Sequence, residues 1–563
     1  MPLQSTRWQI ARPVGPQQLA RFPDLQPLVV QLLHNRGIED PAAAQEFLSG
    51  RATGHNPFDL KGMGEAVARL REAVRRGERI AIYGDFDTDG VTATALLVQA
   101  LSALGARVEP YIPHRVDEGY GLHLDALREL HGRGVRVVVT VDCGIRSVHE
   151  VTRASRKMDL IVTDHHSVGP ALPPAVAILN PKQKDCPYPF KDLAGVGLAY
   201  KLAQALLRVH KHVTRQAPKL AEEELLDLVA LGTVSDLAPL LGENRVLVRQ
   251  GLEALNEPIR PGVEALMADA GLRRGGVDAS AIGFRLGPRL NAAGRIDSAM
   301  VAYRLLTSTE PLETKALAER LGRLNQQRQE MTEKTVAEAE AQVRAADPEA
   351  RLFLVSSPDF NAGIVGLAAS RLMQAHYRPS VVVELGERYS RGSCRSIPEF
   401  NITDALDACQ DLLVRHGGHA AAAGFTVETD KLDVLGQRLQ AIADEKLAEV
   451  ELRPTLAIDV ELPLEEVSWA TLELLRRVEP CGEENPRPVL ASRDLEVREA
   501  RAVGDEQKHL KLTLRDGRGV AWDAMYFRHG HLASQVPARV DVAYRLDANE
   551  WNHRKRLQLL VED

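Results

Sequence analysis

Aromatic residues make up only 4% of the 563-residue chain, too few for a surface built mainly on base stacking. Positive charge is not in excess either. Lys+Arg number 70 and Asp+Glu 77, leaving a formal charge of −7. This excludes a protein held to nucleic acid by overall charge, while a local basic groove stays open because the field that matters is local. The cysteines are few, and Cys143, Cys186, Cys394, Cys409 and Cys481 form no C-x-x-C pair. A reduced, cytoplasmic setting is expected, without a disulfide framework or a cysteine zinc site. No apolar run reaches the ~18 residues that a membrane helix needs. Met1 to Arg21 lacks the apolar centre and small-residue cleavage site of a secretory signal. What is present is globular: 44% hydrophobic and 26% charged residues, in a length that fits roughly three to five domains.

The hydrophobic pattern divides the chain. Residues 1–55 read as a helical lead-in, with an apolar stretch from Leu25 to Leu33. Glu78 to Tyr83, Val135 to Val141 and Asp159 to Thr163 are strands, and Gly84 to Gly90 is a loop before a Val91–Leu104 helix. Short β-branched runs followed by turns and helices give residues 56–304 a parallel sheet with crossover helices. A helix from Glu222 to Leu231 is expected to end at Gly232. One long, highly charged helical pattern, residues 305–346, reads as a connector between domains. Residues 347–450 form a smaller α/β domain, with strands at Leu352–Ser356 and Ser380–Leu385 and a helix over Gly363–Met373. In residues 451–563, Leu510, Leu512 and Leu514 alternate with polar residues, as do Val540, Val542, Tyr544 and Leu546, and Asp516-Gly-Arg-Gly519 supplies a turn. That pattern predicts an antiparallel β domain, sandwich or barrel.

The chemistry gathers at strand ends. Asp85-Phe-Asp87-Thr-Asp89-Gly90 follows the first buried strand. Residues two apart in an extended backbone point the same way, so these carboxylates repel one another unless a cation sits among them. An acidic turn or helix cap is the other reading of that segment alone. Asp142 follows the next strand, and Asp164-His165-His166 the one after. Open parallel sheets bind ligands beyond the carboxyl ends of their strands, which puts these groups on one rim. Carboxylate oxygens with one or two imidazoles suit Mn²⁺ or Mg²⁺. More than four such ligands point to two ions sharing a bridging carboxylate, roughly 3.5–4 Å apart, and hence to phosphoester hydrolysis. Asp236, in Gly232-Thr-Val-Ser-Asp236-Leu-Ala-Pro239, is a further candidate and reads equally as a helix N-cap.

Taken in order, Asp85 to Gly90, Val141-Asp-Cys-Gly144, Asp164-His-His166 and Ser235-Asp236 resemble the four motifs of the DHH phosphoesterase superfamily. Gly417-Gly-His-Ala-Ala-Ala-Ala-Gly424-Phe425 resembles the signature of its companion DHHA1 domain. Gly287-Pro-Arg-Leu-Asn-Ala-Ala-Gly-Arg295 and Tyr120-Gly-Leu122 resemble elements of one branch, the RecJ exonucleases. The likeness covers nearly the whole chain. It implies an α/β architecture: a parallel-sheet DHH domain, a long helix, a smaller DHHA1 domain and an OB-like strand-binding β domain. It implies two Mn²⁺ or Mg²⁺ ions held by Asp87, Asp89, Asp142, His166 and Asp236, with Asp142 as the bridge. Asp85 joins the metal candidates, at a place where distant superfamily members carry a histidine slightly earlier in the motif. His165 either ligates, holds the substrate or makes an outer hydrogen bond. The implied activity is 5′-to-3′ degradation of single-stranded DNA to mononucleotides in repair and recombination, with Asp87, Asp89, Asp142, His165, His166 and Asp236 as the catalytic set. Direct water attack needs no covalent intermediate, and Cys143 reads as a small buried residue.

An end-directed nuclease must also grip a terminal phosphate, for which arginine forks are suited. Candidates lie in Arg391-Gly-Ser393-Cys-Arg395-Ser396 and Gly418-His419; the first segment also reads as a β-turn with surface arginines. Arg285, Arg289 and Arg295, with Asn291 among them, either line the cleft or serve as structural ion-pair partners, and His114-Arg115 is a rim candidate. The DNA-binding set is therefore Arg115, Arg289, Asn291, Ser393, Arg395 and His419. In the tail, Lys508, Lys511, Arg515, Arg518, Trp522, Tyr526 and Trp551 are available to a strand-binding groove, or the rings belong to the core. Expected partners are single-stranded DNA with a 5′-phosphate, a single-strand-binding protein and a helicase, acting on a monomer with no membrane contact. Competing readings are a DHH phosphodiesterase for short RNA or cyclic dinucleotides, a pyrophosphatase relative, and a non-catalytic DNA binder. The connector and the β-rich third domain favour the exonuclease, since small ligands need no strand-binding extension.

Overall fold

The computed structural model describes residues 6–50, 54–115, 117–345, 347, 349–551 and 554–563, with the side chains of 550, 551 and 554 also left aside. It divides into two units. One comprises Gly54–Ala238 and Leu247–Leu452, the other Met1–Thr53, Pro239–Val246 and Arg453–Asp563. The chain's first strand, β1 (Arg7–Ile10), belongs to the smaller unit.

The larger unit opens with five parallel strands: β2 (Arg79–Tyr83), β3 (Arg107–Tyr111), β4 (Val135–Val141), β5 (Asp159–Thr163) and β6 (Ala177–Leu179). Their order is β3-β2-β4-β5-β6. β4 and β5 are apolar on both faces and almost wholly buried, as a sheet covered on both sides by helices requires. Connections from β2 and β4 depart in opposite directions, so the strand order reverses between them, where open sheets bind ligands. The helix after β2 runs Thr88–Ala103 rather than from Val91, because the Asp87 side chain caps it by accepting from the Gly90 N–H. Likewise Gly232 does not end a helix. It lies inside Leu226–Ser235, which follows a 3₁₀ turn at Glu222–Leu225.

The connector differs from the single helix expected over 305–346. A helix at Met300–Thr307 stops, and a second runs Pro311–Ala345, 35 residues long. Pro311 fixes the new start, where its missing N–H costs nothing. Leu317, Ala318 and Leu321 are buried along its first half, and Ala339 and Val343 pack with Phe353 and Val355 of the next domain. That domain has a mixed sheet of β7 (Phe353–Ser357), β8 (Ser380–Glu384), β9 (Tyr389–Arg395), β10 (Leu413–His419) and β11 (Ala422–Glu428), ordered β10-β11-β9-β8-β7. Arg391 to Arg395 is strand interior, not a turn. The Val365–His376 helix packs on β8 and β9.

The smaller unit continues with β12 (Thr455–Ile458), β13 (Val460–Glu461), β14 (Leu490–Val503), β15 (His509–Arg515), β16 (Ala521–Tyr526), β17 (Arg539–Trp551) and β18 (Arg554–Val561). β14-β15-β16-β18-β17 returns to β14, closing a barrel and removing its edges. The β16–β18 pairing is parallel, so the domain is not purely antiparallel as its alternation predicted. The lead-in is also not purely helical. β1 pairs in parallel with β12, and Val29, Val30, Leu32 and Leu33 join Leu490, Leu510, Leu512 and Leu514 in one core. Buried Arg245 donates to the carbonyls of Phe47, Val478, Glu479 and Pro480. Trp522 and Tyr526 pack against this core, Tyr526 stacking on His529 at 3.6 Å, and Lys511 pairs with Asp523. These rings are therefore core partners; the Trp551 side chain lies outside the described residues. All five cysteines are free and buried, Cys143 among them. Among the described residues, no helix is long and apolar enough to cross a membrane.

Candidate metal centre and strand-binding cleft

The carboxyl ends of β2, β4 and β5 bring the motif residues together. Asp85 and Asp89 lie 5% and 1% exposed after β2, and Gly90 is pressed so closely on the Asp85 backbone that a Cβ there would stand 2.5 Å from its carbonyl oxygen. Asp142 directly follows β4 with φ of 60°, a left-handed conformation that a non-glycine residue holds only at a cost of roughly 1–3 kcal/mol. Asp236 is the C-terminal cap residue of the Leu226–Ser235 helix, so the N-cap alternative is not realised. Three overlapping groups result, each with its ligand atoms within 4.8 Å: Asp85, Asp87 and Asp142; Asp142, His165 and His166; Asp89, His165 and Asp236. Asp142 and His165 each belong to two of them.

The surroundings aim these side chains. Asp89 accepts from the Gly195 and Val196 N–H groups at 2.6 and 2.8 Å, at the start of the Gly195–Thr214 helix. A Cβ on Gly195 would meet Asp142 Cβ and Asp89 Oδ2 at 2.8 Å, and one on Gly232 would meet Thr92 Oγ1 at 2.4 Å and Asp89 Oδ1 at 2.9 Å. Both glycines are therefore demanded by space beside the carboxylates. His165 Nε2 stands 3.0 Å from Asp142 Oδ1, 3.6 Å from Asp236 Oδ2 and 4.0 Å from Asp89 Oδ2. His166 Nδ1 is 2.7 Å from Asp164 Oδ1 and 3.1 Å from the Tyr120 hydroxyl. Asp164, fully buried, also accepts from the N–H groups of His166 and Ile145.

Charge makes the cluster incomplete by itself. Burial first, and then repulsion from neighbouring carboxylates, pushes Asp85, Asp142 and Asp236 well above the usual carboxylate range and Asp89 up to about 7. Burial and the charge of His166 bring His165 down to about 3, leaving its ring neutral with a free lone pair. For His166, burial acts downward, but the hydrogen bond to Asp164 and the acidic surroundings outweigh it. Asp85 Oδ1, Asp142 Oδ1 and His165 Nε2 are buried without a hydrogen-bond partner. Orphaned acceptors facing one another in a poorly solvated place match the needs of hard divalent cations.

A cavity of about 640 Å³ opens from this cluster toward the β10-β11-β9-β8-β7 sheet, lined among others by Asp87, His166, Asp236, Asn291, Arg295 and His419. Arg115 lines it too, its guanidinium 4.4 Å from the Phe86 ring centre. Asn291 Oδ1 accepts from the Thr88 N–H at 2.9 Å, so it also fixes the start of the metal-side helix. Ser393 and Arg395 sit together on β9, Arg395 donating to Ser393 Oγ at 3.2 Å. Arg289, one of the expected strand-binding residues, does not line this cavity. Its guanidinium pairs with Asp269 at 2.9 Å and donates to the Arg285 carbonyl, the structural role that was its alternative. Arg295, named in the sequence as a cleft candidate, lines the cavity, and two contributors, Asp164 and Tyr120, lay outside the expected site residues. Arg295, in the same motif, is held down to about 9 by burial and by nearby Arg115 and Arg328. Asp164 and Tyr120 steer His166. Strand-end and motif position were the available signals for each; for Gly195 and Val196 it was only a Gly-Val-Gly run at a helix start.

Comparison with known proteins places these features. Residues 79–233 match the DHH family, N-terminal domain, residues 350–445 the DHHA1 domain, and residues 458–563 the RecJ OB domain. The single-stranded-DNA-specific exonuclease RecJ of Bacillus subtilis is 38% identical over 565 residues, covering 99% of this chain and 70% of that protein. The Escherichia coli enzyme of the same name is 37% identical, covering 96% of both. The crystal structure of RecJ in complex with Mn²⁺ from Thermus thermophilus superposes with a TM-score of 0.85 at 32% identity, covering 100% of this chain and 80% of that one.

Proposed function

The chain belongs to the RecJ family of single-stranded-DNA-specific exonucleases, and from that premise we infer that its cleft removes nucleotides from the 5′ end of single-stranded DNA, as monomers. The observation that carries this reading is the sharing of Asp142 and His165 between adjacent ligand groups. Asp85, Asp87, Asp89, Asp142, His165, His166 and Asp236 would hold two Mn²⁺ or Mg²⁺ ions, Asp142 being offered to both by its place in two ligand groups. Ions bound there lower the pKa of a water and neutralise charge at the phosphorus under attack. Asp164 and Tyr120 keep His166 turned into the site, and the Gly195 and Val196 amides keep Asp89 turned in. The leaving group is the 3′-oxygen of the terminal nucleotide.

Burial first, and then the charge of Arg115, lowers the pKa of both Arg295 and Arg395, so these guanidinium groups share one neighbourhood. With Ser393 they make a pocket for a 5′-phosphate, where arginine is better suited than lysine. His419, on the cavity wall, faces the strand between that pocket and the metal centre. We assign residues 1–55 to a lead-in, 56–304 to catalysis and one side of the phosphate pocket, 305–346 to the connector, 347–450 to the other side of that pocket, and 451–563 to strand binding. On the same reading the enzyme is a cytoplasmic monomer, supplied with single strands by a helicase and a single-strand-binding protein. The test is a panel of 5′-phosphorylated single-stranded DNA, duplex DNA, short RNA and cyclic dinucleotides with Mn²⁺, Mg²⁺ or chelator. Mononucleotides released from the single strand, abolished by chelator, are expected. Untouched DNA with cleaved dinucleotides would replace this reading with a small-ligand phosphodiesterase.

A further inference from the structure

The DHHA1 sheet presents three adjacent strands to the cleft, and their register sets its side chains out in rows. Arg395 stands beside Ala422 and His419, Ser393 beside Gly424 and Gly417, and Arg391 beside Thr426 and Arg415. Successive rows are two residues apart, roughly 6.6–6.8 Å. The first two rows contain the groups assigned above to the terminal phosphate and the strand. The third row, one step further from His419, carries Arg391 and Arg415 on either side of Thr426.

That row borders a separate cavity of about 410 Å³, which shares Phe86, Arg115, Tyr120 and Gly417 with the metal-side cavity and adds Arg391 and Arg415. Its middle is floored by glycine: a Cβ on Gly417 would meet nothing within 4 Å and one on Gly424 only the Gly392 carbonyl oxygen at 3.7 Å. Both arginines are exposed, and among the described residues neither forms an ion pair with a carboxylate. Arg415 Nε donates only to Thr426 Oγ1 at 3.2 Å. Glu384, opposite Arg391 on β8, instead accepts from the Ala362 N–H at 3.3 Å. Two free guanidinium forks over a bare floor, continuous with a phosphate pocket, favour a further anion in line with the first.

We propose that Arg391 and Arg415 form an extension of the phosphate pocket that takes the β- and γ-phosphates of a 5′-triphosphorylated strand end. The proposal rests on the exonuclease reading. The reaction is unchanged in kind: water adds to the phosphorus of the first internucleotide linkage and the 3′-oxygen of the first nucleotide leaves with a proton. The products are a nucleoside 5′-triphosphate and a strand shortened by one, carrying a 5′-monophosphate. Terminal triphosphate is therefore accepted without a separate step to trim it.

The test compares synthetic single-stranded DNA bearing 5′-hydroxyl, 5′-monophosphate or 5′-triphosphate, in wild type, Arg415→Ala and the Arg391→Ala/Arg415→Ala double variant. Wild type is expected to release nucleoside triphosphate first, with KM for the triphosphate end no higher than for the monophosphate. The double variant is expected to raise the ratio of triphosphate to monophosphate KM about tenfold, and Arg415→Ala by less. A triphosphate end that wild type rejects, or a variant that raises KM equally for both ends, overturns the proposal. Calorimetric binding of inorganic tripolyphosphate without divalent metal separates it from the exonuclease reading. Binding that weakens in the double variant supports the pocket even if strand hydrolysis fails, and equal binding by both proteins removes it.

Discussion

Replacing Asp164 by Asn tests whether the metal centre depends on a residue that is itself no ligand. The side chain is fully buried and accepts from His166 Nδ1 at 2.7 Å, the His166 N–H at 3.0 Å and the Ile145 N–H at 2.9 Å. Burial alone would raise its pKa; the hydrogen bond and charge of His166 outweigh this and hold it below the usual carboxylate range. It is thus an anion matched to its surroundings. Asn preserves the shape but removes the charge and puts an NH₂ where one N–H needs an acceptor. A buried donor left facing a donor costs about 1–3 kcal/mol of stability. Loss of an outer partner of a ligating histidine typically costs about 10–100-fold in metal affinity or activity. The half-saturating Mn²⁺ concentration for nucleotide release should therefore rise about 10–100-fold, equivalent to roughly 1.4–2.8 kcal/mol. The assay is a Mn²⁺ titration of turnover on labelled 5′-phosphorylated single-stranded DNA, paired with calorimetric Mn²⁺ binding and thermal melting. A folded variant with metal affinity and turnover within twofold of wild type would refute the steering role of Asp164 and the placement of His166 with it.

Asp142→Ala should leave no measurable turnover while the variant still binds single-stranded DNA in a filter or anisotropy assay; retained hydrolysis would remove Asp142 from the centre. Arg395→Ala should reduce the preference for a 5′-phosphate over a 5′-hydroxyl about 10–100-fold, from the loss of one charge-assisted contact worth about 1.5–3 kcal/mol; an unchanged preference would move the pocket elsewhere. The pH response of the metal-free protein follows from carboxylates whose folded pKa is raised, Asp89 to about 7. Between the unfolded value near 4 and about 7 the folded state binds more protons than the unfolded one, so this group's contribution to stability falls as pH rises. Cations bind the deprotonated cluster, so the gain in melting temperature on adding Mn²⁺ should grow from pH 5 to pH 7.5. A gain independent of pH over that interval would contradict it.

The parts of the fold written in local pattern were legible. β4 and β5 fall where their β-branched runs predict, because a strand buried on both faces leaves a continuous apolar signature. The acidic groups were legible as one cluster because motif position and strand-end placement agree. What was not legible depended on contacts distant in sequence. Gly232 reads as a helix stop, yet it is in mid-helix because Thr92 and Asp89 leave no space for a side chain. Arg391 to Arg395 carries Gly, Ser and Cys and reads as a turn; it is a strand because β8 and β11 pair on either side of it. Arg289 and Arg295 stand in one helix, and only the location of Asp269 decides that the first turns away from the cleft.

The parallel pairing of Arg7–Ile10 with Thr455–Ile458 has a consequence for how the molecule is made. Arg7 and Thr455, which also share a side-chain hydrogen bond, are 448 positions apart. At ribosomal speeds of about 5–20 residues per second, the first strand emerges roughly 20–90 s before its neighbour exists. For that interval Val29, Val30, Leu32 and Leu33 have no barrel to rest against. Until residues 455–458 are made, this earlier segment is thus greasy and unfinished, and a chain cut short before them leaves it so permanently.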